Sequence, residues 1–363
     1  MTPSPSFLER LWYGTHPLAV VLLPFSALFL ILTQLRRGGY RLGLLTTRPL
    51  EVPVVVVGNI TVGGTGKTPV VIWLARFLRD RGVQVGIVAR GYRGTARCWP
   101  QQVRPDSDPK VVGDEPVVIA RRTGCPVAVG PDRRAAAEAL LTHHRCEVLI
   151  SDDGLQHYAL PRDLEIAVID GVRRFGNGFL IPAGPLRERP QRLRSVDLIV
   201  VNGLAGQGEH GMKMVSEGLV NVNNPGKTCD LQAFSGRRVH AVVGIGHPRR
   251  FLDQLRQSGL EVLPHVFRDH HRYSAAEVQF NDDLPVIMTE KDAVKCRGLV
   301  SDNAWFLAVK AVFEPRFQHE LISKLRHCLP QLVSGDSGTA LKMDSGCDDK
   351  ARPREDARFT QVQ

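Results

Sequence analysis

Lys67 and Thr68 close the glycine-rich turn Gly63-Gly64-Thr65-Gly66, and the β-branched run Val54-Val55-Val56-Val57 leads into it. An amphipathic segment from Val70 to Arg79 follows. Strand, glycine turn and helix in that order are the context a phosphate-binding loop requires. In such a loop the main-chain N–H groups, here those of Thr61, Val62, Gly63, Gly64, Thr65 and Gly66, turn inward on phosphate oxygens, and the helix start adds partial positive charge. Lys67 would reach the β- and γ-phosphates and the Thr68 hydroxyl would ligate Mg²⁺. The usual opening glycine of the eight-residue pattern falls on Thr61, so Gly63 and Gly64 must supply the turn. The expectation is a chain that binds a nucleotide.

Acids and imidazoles recur in loops that could face such a nucleotide. Asp152 and Asp153 end an apolar strand, where P-loop proteins place the acid that holds Mg²⁺; either could be the nearer one. His157 follows closely and could reach phosphate or acceptor, or be structural. Asp114 and Glu115 come after the basic loop that opens at Arg90. A kinase needs a group that takes the acceptor's proton, and Asp114 or Glu115 fits that role. Asp114 also suits a helix N-cap, with Pro116 in the first turn. His270 and His271 could pair with a carboxylate across a cleft and tune its basicity. As a metal site that pair is poor, because adjacent side chains point apart and no thiolate is near. Met288–Lys295 is similar to the base-recognition loop of GTPases, but Lys291 and Asp292 are adjacent rather than separated by one residue. Guanine specificity is not supported, and Lys291 joins the candidate nucleotide contacts without it. The Gly/Pro-rich stretch 176–188, ending in Arg187-Glu188, either covers a substrate or connects two elements.

These residues need a scaffold, and the chain supplies an alternation of apolar strand, turn and helix from residue 50 onward. Strands are expected at 52–58, 84–89, 126–129, 147–152, 165–170 and 196–202, with helices such as 66–81 and 131–143 between them. That pattern predicts an α/β fold: a P-loop NTPase-like three-layer α/β/α core with a parallel sheet covered on both faces, over 49–204. A polar Gly/Asn-rich stretch, 205–235, reads as a linker. A second, smaller α/β lobe follows over 236–333, and the tail 334–363, nearly free of large apolar residues, reads as disordered.

The N-terminal 1–48 differ in kind. Residues 17–33 carry no charge, Trp12 and Tyr13 precede them, and Arg36, Arg37, Arg41 and Arg48 follow. Pro17 and Pro24 interrupt the run, which is short for a spanning helix. The reading is an apolar helix that lies in or spans a membrane, its arginines meeting anionic headgroups; a buried core helix is the alternative. No small-x-small cleavage site closes the run. The 363 residues carry a formal net charge of +10, which suggests an acidic partner. Seven scattered cysteines without a Cys-x-x-Cys pair argue against zinc and a disulfide framework. No RNP-type strand or helix-turn-helix pattern accompanies the charge, so a nucleic-acid-binding protein is disfavoured. An ATPase of the partitioning type is disfavoured too, since Val62 stands where those proteins carry a second lysine.

In order along the chain, the apolar N-terminal segment, Val57–Pro69, Arg90-Gly91-Tyr92, Gly113–Pro116, Asp152–His157, Pro182–Glu188, Asp269-His270 and Thr289–Lys295 closely resemble tetraacyldisaccharide 4′-kinase, the inner-membrane lipid A kinase family of Gram-negative bacteria. The resemblance implies transfer of the γ-phosphoryl of ATP, with Mg²⁺, to the 4′-hydroxyl of an acylated glucosamine disaccharide 1-phosphate. It implies the cytoplasmic face of the inner membrane as the place, no nucleic acid, and no obligate protein partner. It implies Asp114 as the base supported by His270, and Lys67 and Thr68 as phosphate and Mg²⁺ ligands. Asp152, Asp153 and His157 fall on the metal and phosphate side, and Arg90 and Glu188 in support. Whether His270 or His271 supports the base stays open. Leu155 departs from the family by standing where an aromatic residue is frequent.

Overall fold

The computed structural model describes residues 7–330 and Leu332. The tail expected to be disordered lies outside the described residues. The strands are β1 (Val54–Gly58), β2 (Val85–Ala89), β3 (Gln101–Val103), β4 (Val127–Val129), β5 (Val148–Asp152), β6 (Leu164–Asp170), β7 (Leu198–Asn202), β8 (His210–Asn221), β9 (Thr228–Cys229), β10 (Arg238–Val243), β11 (Glu261–Val266), β12 (Val286–Thr289) and β13 (Ala304–Phe313). They form one sheet in the order β11-β10-β12-β13-β8-β7-β6-β1-β5-β2-β4-β3, with β9 paired to β8.

β1, β2, β4, β5, β6 and β7 pair in parallel, and β1, β2, β5 and β6 are buried along their whole length. Continuous Val/Ile runs are what a strand covered on both faces needs. The helix Lys67–Arg79 covers one face: Val70, Val71, Leu74, Ala75, Phe77 and Leu78 are all buried. It stops at Asp80, and Gly82 turns the chain at φ +81°. The α/β/α core expected over 49–204 is therefore present, at nearly the expected strand boundaries.

Two expectations need correction. Residues 205–235 are not a bare linker, because β8 fills 210–221. Its first residues pair in parallel with β7, and the rest runs antiparallel to β13. Buried positions occur only toward its two ends, and 213–218 are all exposed or intermediate, so no continuous apolar run marks it in the sequence. The N-terminal apolar run is also not one helix. It divides into Leu18–Val21 and Leu23–Arg41. Pro24 has no N–H to offer the Val20 carbonyl, which breaks the ladder there. Among the described residues no helix is long and apolar enough to cross a membrane.

The second lobe does not hold its own C-terminus. After β13 the helix Pro315–Leu325 returns to the first core cluster, where Phe317, Leu321, Leu325, Leu329 and Leu332 are buried with Val70, Leu74 and Phe77. Trp73 stacks on Phe77 at 4.7 Å and meets Phe313 at 4.4 Å, and Phe313 stacks on Phe317 at 4.4 Å. Replacing Phe317 by Ala should cost about 3–5 kcal/mol through the cavity left under the Lys67–Arg79 helix. Replacing exposed Val312 by Ala should stay within about 0.5 kcal/mol. Urea unfolding of the two variants measures both, and equal midpoints would contradict the packing described.

Candidate active site

The turn 61–66 leaves β1 at its C-terminal end, where ligands of open α/β sheets sit. Gly63 and Gly66 adopt φ +114° and +98°, conformations that favour glycine. At Gly66 a side chain would also approach Asn202 Nδ2 to 2.9 Å. Two buried amides brace the turn. Asn59 Nδ2 donates to Thr65 Oγ1 at 3.3 Å, and Asn202 Nδ2 donates to the Thr65 carbonyl at 3.3 Å. Neither asparagine was anticipated from the sequence.

The stretch 176–188 is a connector that grips both the turn and the N-terminal helices. Val62 N–H donates to the Pro185 carbonyl at 2.8 Å, and Arg187 N–H donates to the Ile60 carbonyl at 2.7 Å. On its other side, Ser26 Oγ donates to the Leu180 carbonyl at 2.7 Å and Trp12 Nε1 donates to the Pro182 carbonyl at 3.0 Å. Glu188 accepts from Gln156 at 2.8 Å and from the Tyr158 hydroxyl, and faces Arg192. It locks this connector in place.

A cleft of about 1510 Å³ joins the candidates, with Val62 through Thr68, Arg90, Glu115, Asp152, Asp153, His157, Glu188, His270 and Lys291 on its walls. Leu8 of a first short helix, Phe7–Tyr13, and Phe29 and Arg36 of the helix Leu23–Arg41 also line it. Asp153 lies 3.6 Å from Lys67 Nζ, and both its oxygens accept from Arg187 at 3.0 Å. Burial alone would raise this carboxyl, but Lys67 and Arg187 hold it down to about 2. Asp152 is the opposite case. Burial, then the charge of Glu115, pushes it up to about 7, and its Oδ1 is buried without a hydrogen-bond partner. Arg133, missed in the sequence, is buried beside this pair; burial lowers it to about 10, with both carboxylates opposing. His157 is lowered to about 4 by burial and by Arg133, so its imidazole is neutral at pH 7.

Across the cleft, Asp114 is the first residue of the helix Asp114–Thr123, and Gly113 occupies the cap position expected for Asp114. Its carboxylate accepts from His270 Nδ1 at 3.0 Å on each oxygen. His271 turns to Glu277 at 3.1 Å and stacks on Phe267 at 4.7 Å, which settles the choice between the two histidines. Asp114 is 4 % exposed and is absent from the wall of the large cleft, whereas His270 is on it. The imidazole thus faces the large cleft, while Asp114, expected as the base, lines a smaller cavity of about 270 Å³ that His270 also borders. Lys291, expected at the nucleotide, lines the same cleft as the turn and donates to Glu115 and Asp269 at 3.0 Å and to His270 Nε2 at 3.2 Å. Lys295 Nζ lies 2.9 Å from Asp292 and 3.6 Å from Asp114.

A sequence profile of Tetraacyldisaccharide-1-P 4′-kinase matches residues 18–326. The chain belongs to that family. A tetraacyldisaccharide 4′-kinase of Nitrosococcus oceani is 49 % identical over 326 residues, covering 90 % of this chain and 96 % of that one. One of Alkalilimnicola ehrlichii is 52 % identical over 322 residues, covering 88 % and 97 %. The crystal structure of LpxK from Aquifex aeolicus in complex with ATP superposes with a TM-score of 0.73 at 29 % identity, covering 86 % of this chain and 99 % of that one.

Burial opposes the charge of Asp114, but the hydrogen bond from His270 and the ammoniums of Lys291 and Lys295 hold the carboxyl down to about 2 from 3.8. A depressed carboxyl contributes stability that is complete above its unfolded value and is lost as pH falls through its folded one. Asp114 should therefore contribute on the order of 2 kcal/mol above about pH 4, lost toward about pH 2. Denaturation midpoints should fall less steeply over that window for Asp114→Asn than for the parent. Parallel pH slopes would count against the pairing.

Proposed function

We propose that this chain transfers the γ-phosphoryl group of ATP to the 4′-hydroxyl of tetraacyldisaccharide 1-phosphate, giving ADP and the 1,4′-bisphosphate, a step of lipid A biosynthesis. One observation carries the reading. A phosphate-binding turn and a carboxylate-backed imidazole face the same cleft, and the apolar N-terminal helices form part of its wall. The ATP complex of the Aquifex aeolicus relative supports the nucleotide, and the family supports the acceptor.

Phosphoryl transfer asks chiefly for positioning and charge neutralisation. The amides of 63–66 and the Lys67 ammonium cradle the β- and γ-phosphates, and Arg133, Arg90 and neutral His157 flank them; Thr61, expected among these amides, is off the cleft wall, and the Val62 N–H is spent on Pro185. His270 Nε2 takes the proton from the 4′-hydroxyl as that oxygen bonds to phosphorus and the bond to ADP breaks. Asp114 accepts from Nδ1–H, fixing the ring's orientation and stabilising the imidazolium that forms. For Mg²⁺, the fit rests on Asp152. A buried, unpartnered carboxylate oxygen beside the turn suits a hard cation that takes one or two carboxylates and keeps its other positions for phosphate and water. Thr68 and Asp152 would hold it, while Asp153 is committed to Arg187 and Lys67. Bound there, the ion would offset the charge building on the phosphates.

The cytoplasmic face of the inner membrane is part of the same proposal. Phe25, Leu28, Leu32 and Leu35 recur at helical spacing and are 61, 55, 57 and 67 % exposed, forming an apolar stripe that no described residue covers. Such a helix suits an interfacial position, with Arg36, Arg37 and Arg41 at its end for anionic headgroups. Withdrawing a lipid acceptor from the bilayer would cost about 0.8 kcal/mol per exposed CH₂, so the enzyme must go to the lipid.

Incubation with labelled ATP, Mg²⁺ and acylated disaccharide 1-phosphate in mixed micelles should yield a doubly phosphorylated lipid, and lipid-independent ATP hydrolysis alone would contradict the reading. His270→Ala should lower kcat by about 10²–10⁴ with nucleotide affinity little changed; undiminished turnover removes His270 from the chemistry. Phe25→Glu together with Leu32→Glu should release the folded protein from anionic vesicles in a flotation assay. Continued co-flotation would place the membrane contact elsewhere.

A further inference from the structure

Lys291 is the second residue of the helix Glu290–Cys296, and its ammonium is fully committed. An ammonium has three protons and no lone pair, so each of its three partners must be an acceptor. Those partners are Glu115 Oε1, Asp269 Oδ1 and His270 Nε2. Burial works against its charge, but Glu115, Asp114 and Asp269 raise the group above the ordinary lysine value, so it remains an ammonium. His270 Nε2 must then present its lone pair to Lys291, and Nδ1, bonded to both oxygens of Asp114, must carry the hydrogen. This is the tautomer that the reaction needs. Yet the lone pair that would take the acceptor's proton is already occupied.

The partners of Lys291 also lead back to the nucleotide turn. Gly246 brings bare backbone between the two lobes: a Cβ there would lie 3.3 Å from the Gly64 amide nitrogen and 3.4 Å from Asp269 Oδ2. A phosphate oxygen accepting from the Gly64 N–H would arrive close to a carboxylate whose other oxygen holds Lys291. Two anions brought together in a partly buried site repel unless a cation moves between them. The nearest ammonium sits on a flexible four-carbon stem. The other charged groups around the ring are already directed elsewhere. Lys295 faces Asp114 and Asp292, and Arg93 donates to the Asp269 carbonyl.

We propose that Lys291 is a positioning residue that caps the imidazole of His270 until a triphosphate occupies the 61–68 turn, and that the nucleotide draws the ammonium away and uncovers Nε2 for the sugar hydroxyl. The proposal rests on the reading of His270 as the base. It makes nucleotide the ligand that prepares the acceptor side of the cleft. It also means that acceptor lipid should bind more tightly once nucleotide is present, a coupling of about fivefold or more.

The test is ¹⁵N NMR of the full chain labelled in histidine, in micelles, with the His270 signals assigned from their loss in His270→Asn. Adding Mg²⁺ and a non-hydrolysable ATP analogue should move the Nε2 resonance of the parent protein. Lys291→Met should show the moved position before any nucleotide is added, with a kcat at least tenfold lower and no analogue-dependent gain in lipid affinity. An Nε2 resonance in the parent that saturating analogue leaves in place overturns the proposal, and that result does not depend on the variant folding. Lys291→Arg should restore the capped resonance, whereas an uncapped resonance in this variant counts against a cationic cap. If His270→Ala retains full turnover, the base assignment fails instead, whatever the resonance does.

Discussion

Two main-chain hydrogen bonds, Val62 N–H to Pro185 and Arg187 N–H to Ile60, hold the phosphate turn to the 176–188 connector, and most of the site's geometry follows from them. The turn lacks the usual opening glycine, and its first residues are steadied from outside by this short pairing rather than by local chemistry alone. The same connector is bonded to Ser26 and Trp12 of the N-terminal helices. The surface proposed to meet lipid and the turn proposed to hold triphosphate therefore share one rigid intermediary. Were the helices to dock on a bilayer as proposed, their depth would set where the transferred phosphoryl group lies relative to it.

Charge is the second constraint. The cleft neutralises its cations with acids of its own walls. Lys67 leans on Asp153, Arg187 binds Asp153, and Lys291 binds Glu115 and Asp269. Asp152, by contrast, has a buried oxygen with no hydrogen-bond partner among the described residues. A triphosphate drawn to these cations would have to displace carboxylates rather than fill a bare basic hole.

Much of this was legible in the sequence for physical reasons. Strands buried on both faces are written as unbroken Val/Ile runs, and a phosphate turn needs glycine where φ is positive, so β1, β5 and the 61–68 turn could be read directly. What could not be read were relations set by tertiary packing. The strand β8 has no apolar run, so the stretch joining the two halves of the sheet looked like a linker. Asp114 and His270 were paired correctly, but which of them faces the cleft depends on the position of Gly113 and the turn of His270, neither of which has a linear signature. Lys291 sits in a motif similar to a base-recognition loop, and only the fold shows its protons directed at Glu115, Asp269 and His270. Asn59, Asn202 and Arg133 carry no spacing signal at all.

The return of the helix Pro315–Leu325 to the first lobe has a bearing on how the chain is made. Until the segment around Phe313 to Leu332 leaves the ribosome, the Trp73–Phe77 face of the helix behind the phosphate turn lacks its Phe313 and Phe317 partners. The nucleotide-binding half is written first but is completed last, so a nascent chain carries an unfinished apolar surface until its C-terminal helix is made. Truncation before residue 332 would therefore remove part of the first lobe's own interior rather than trim an independent module.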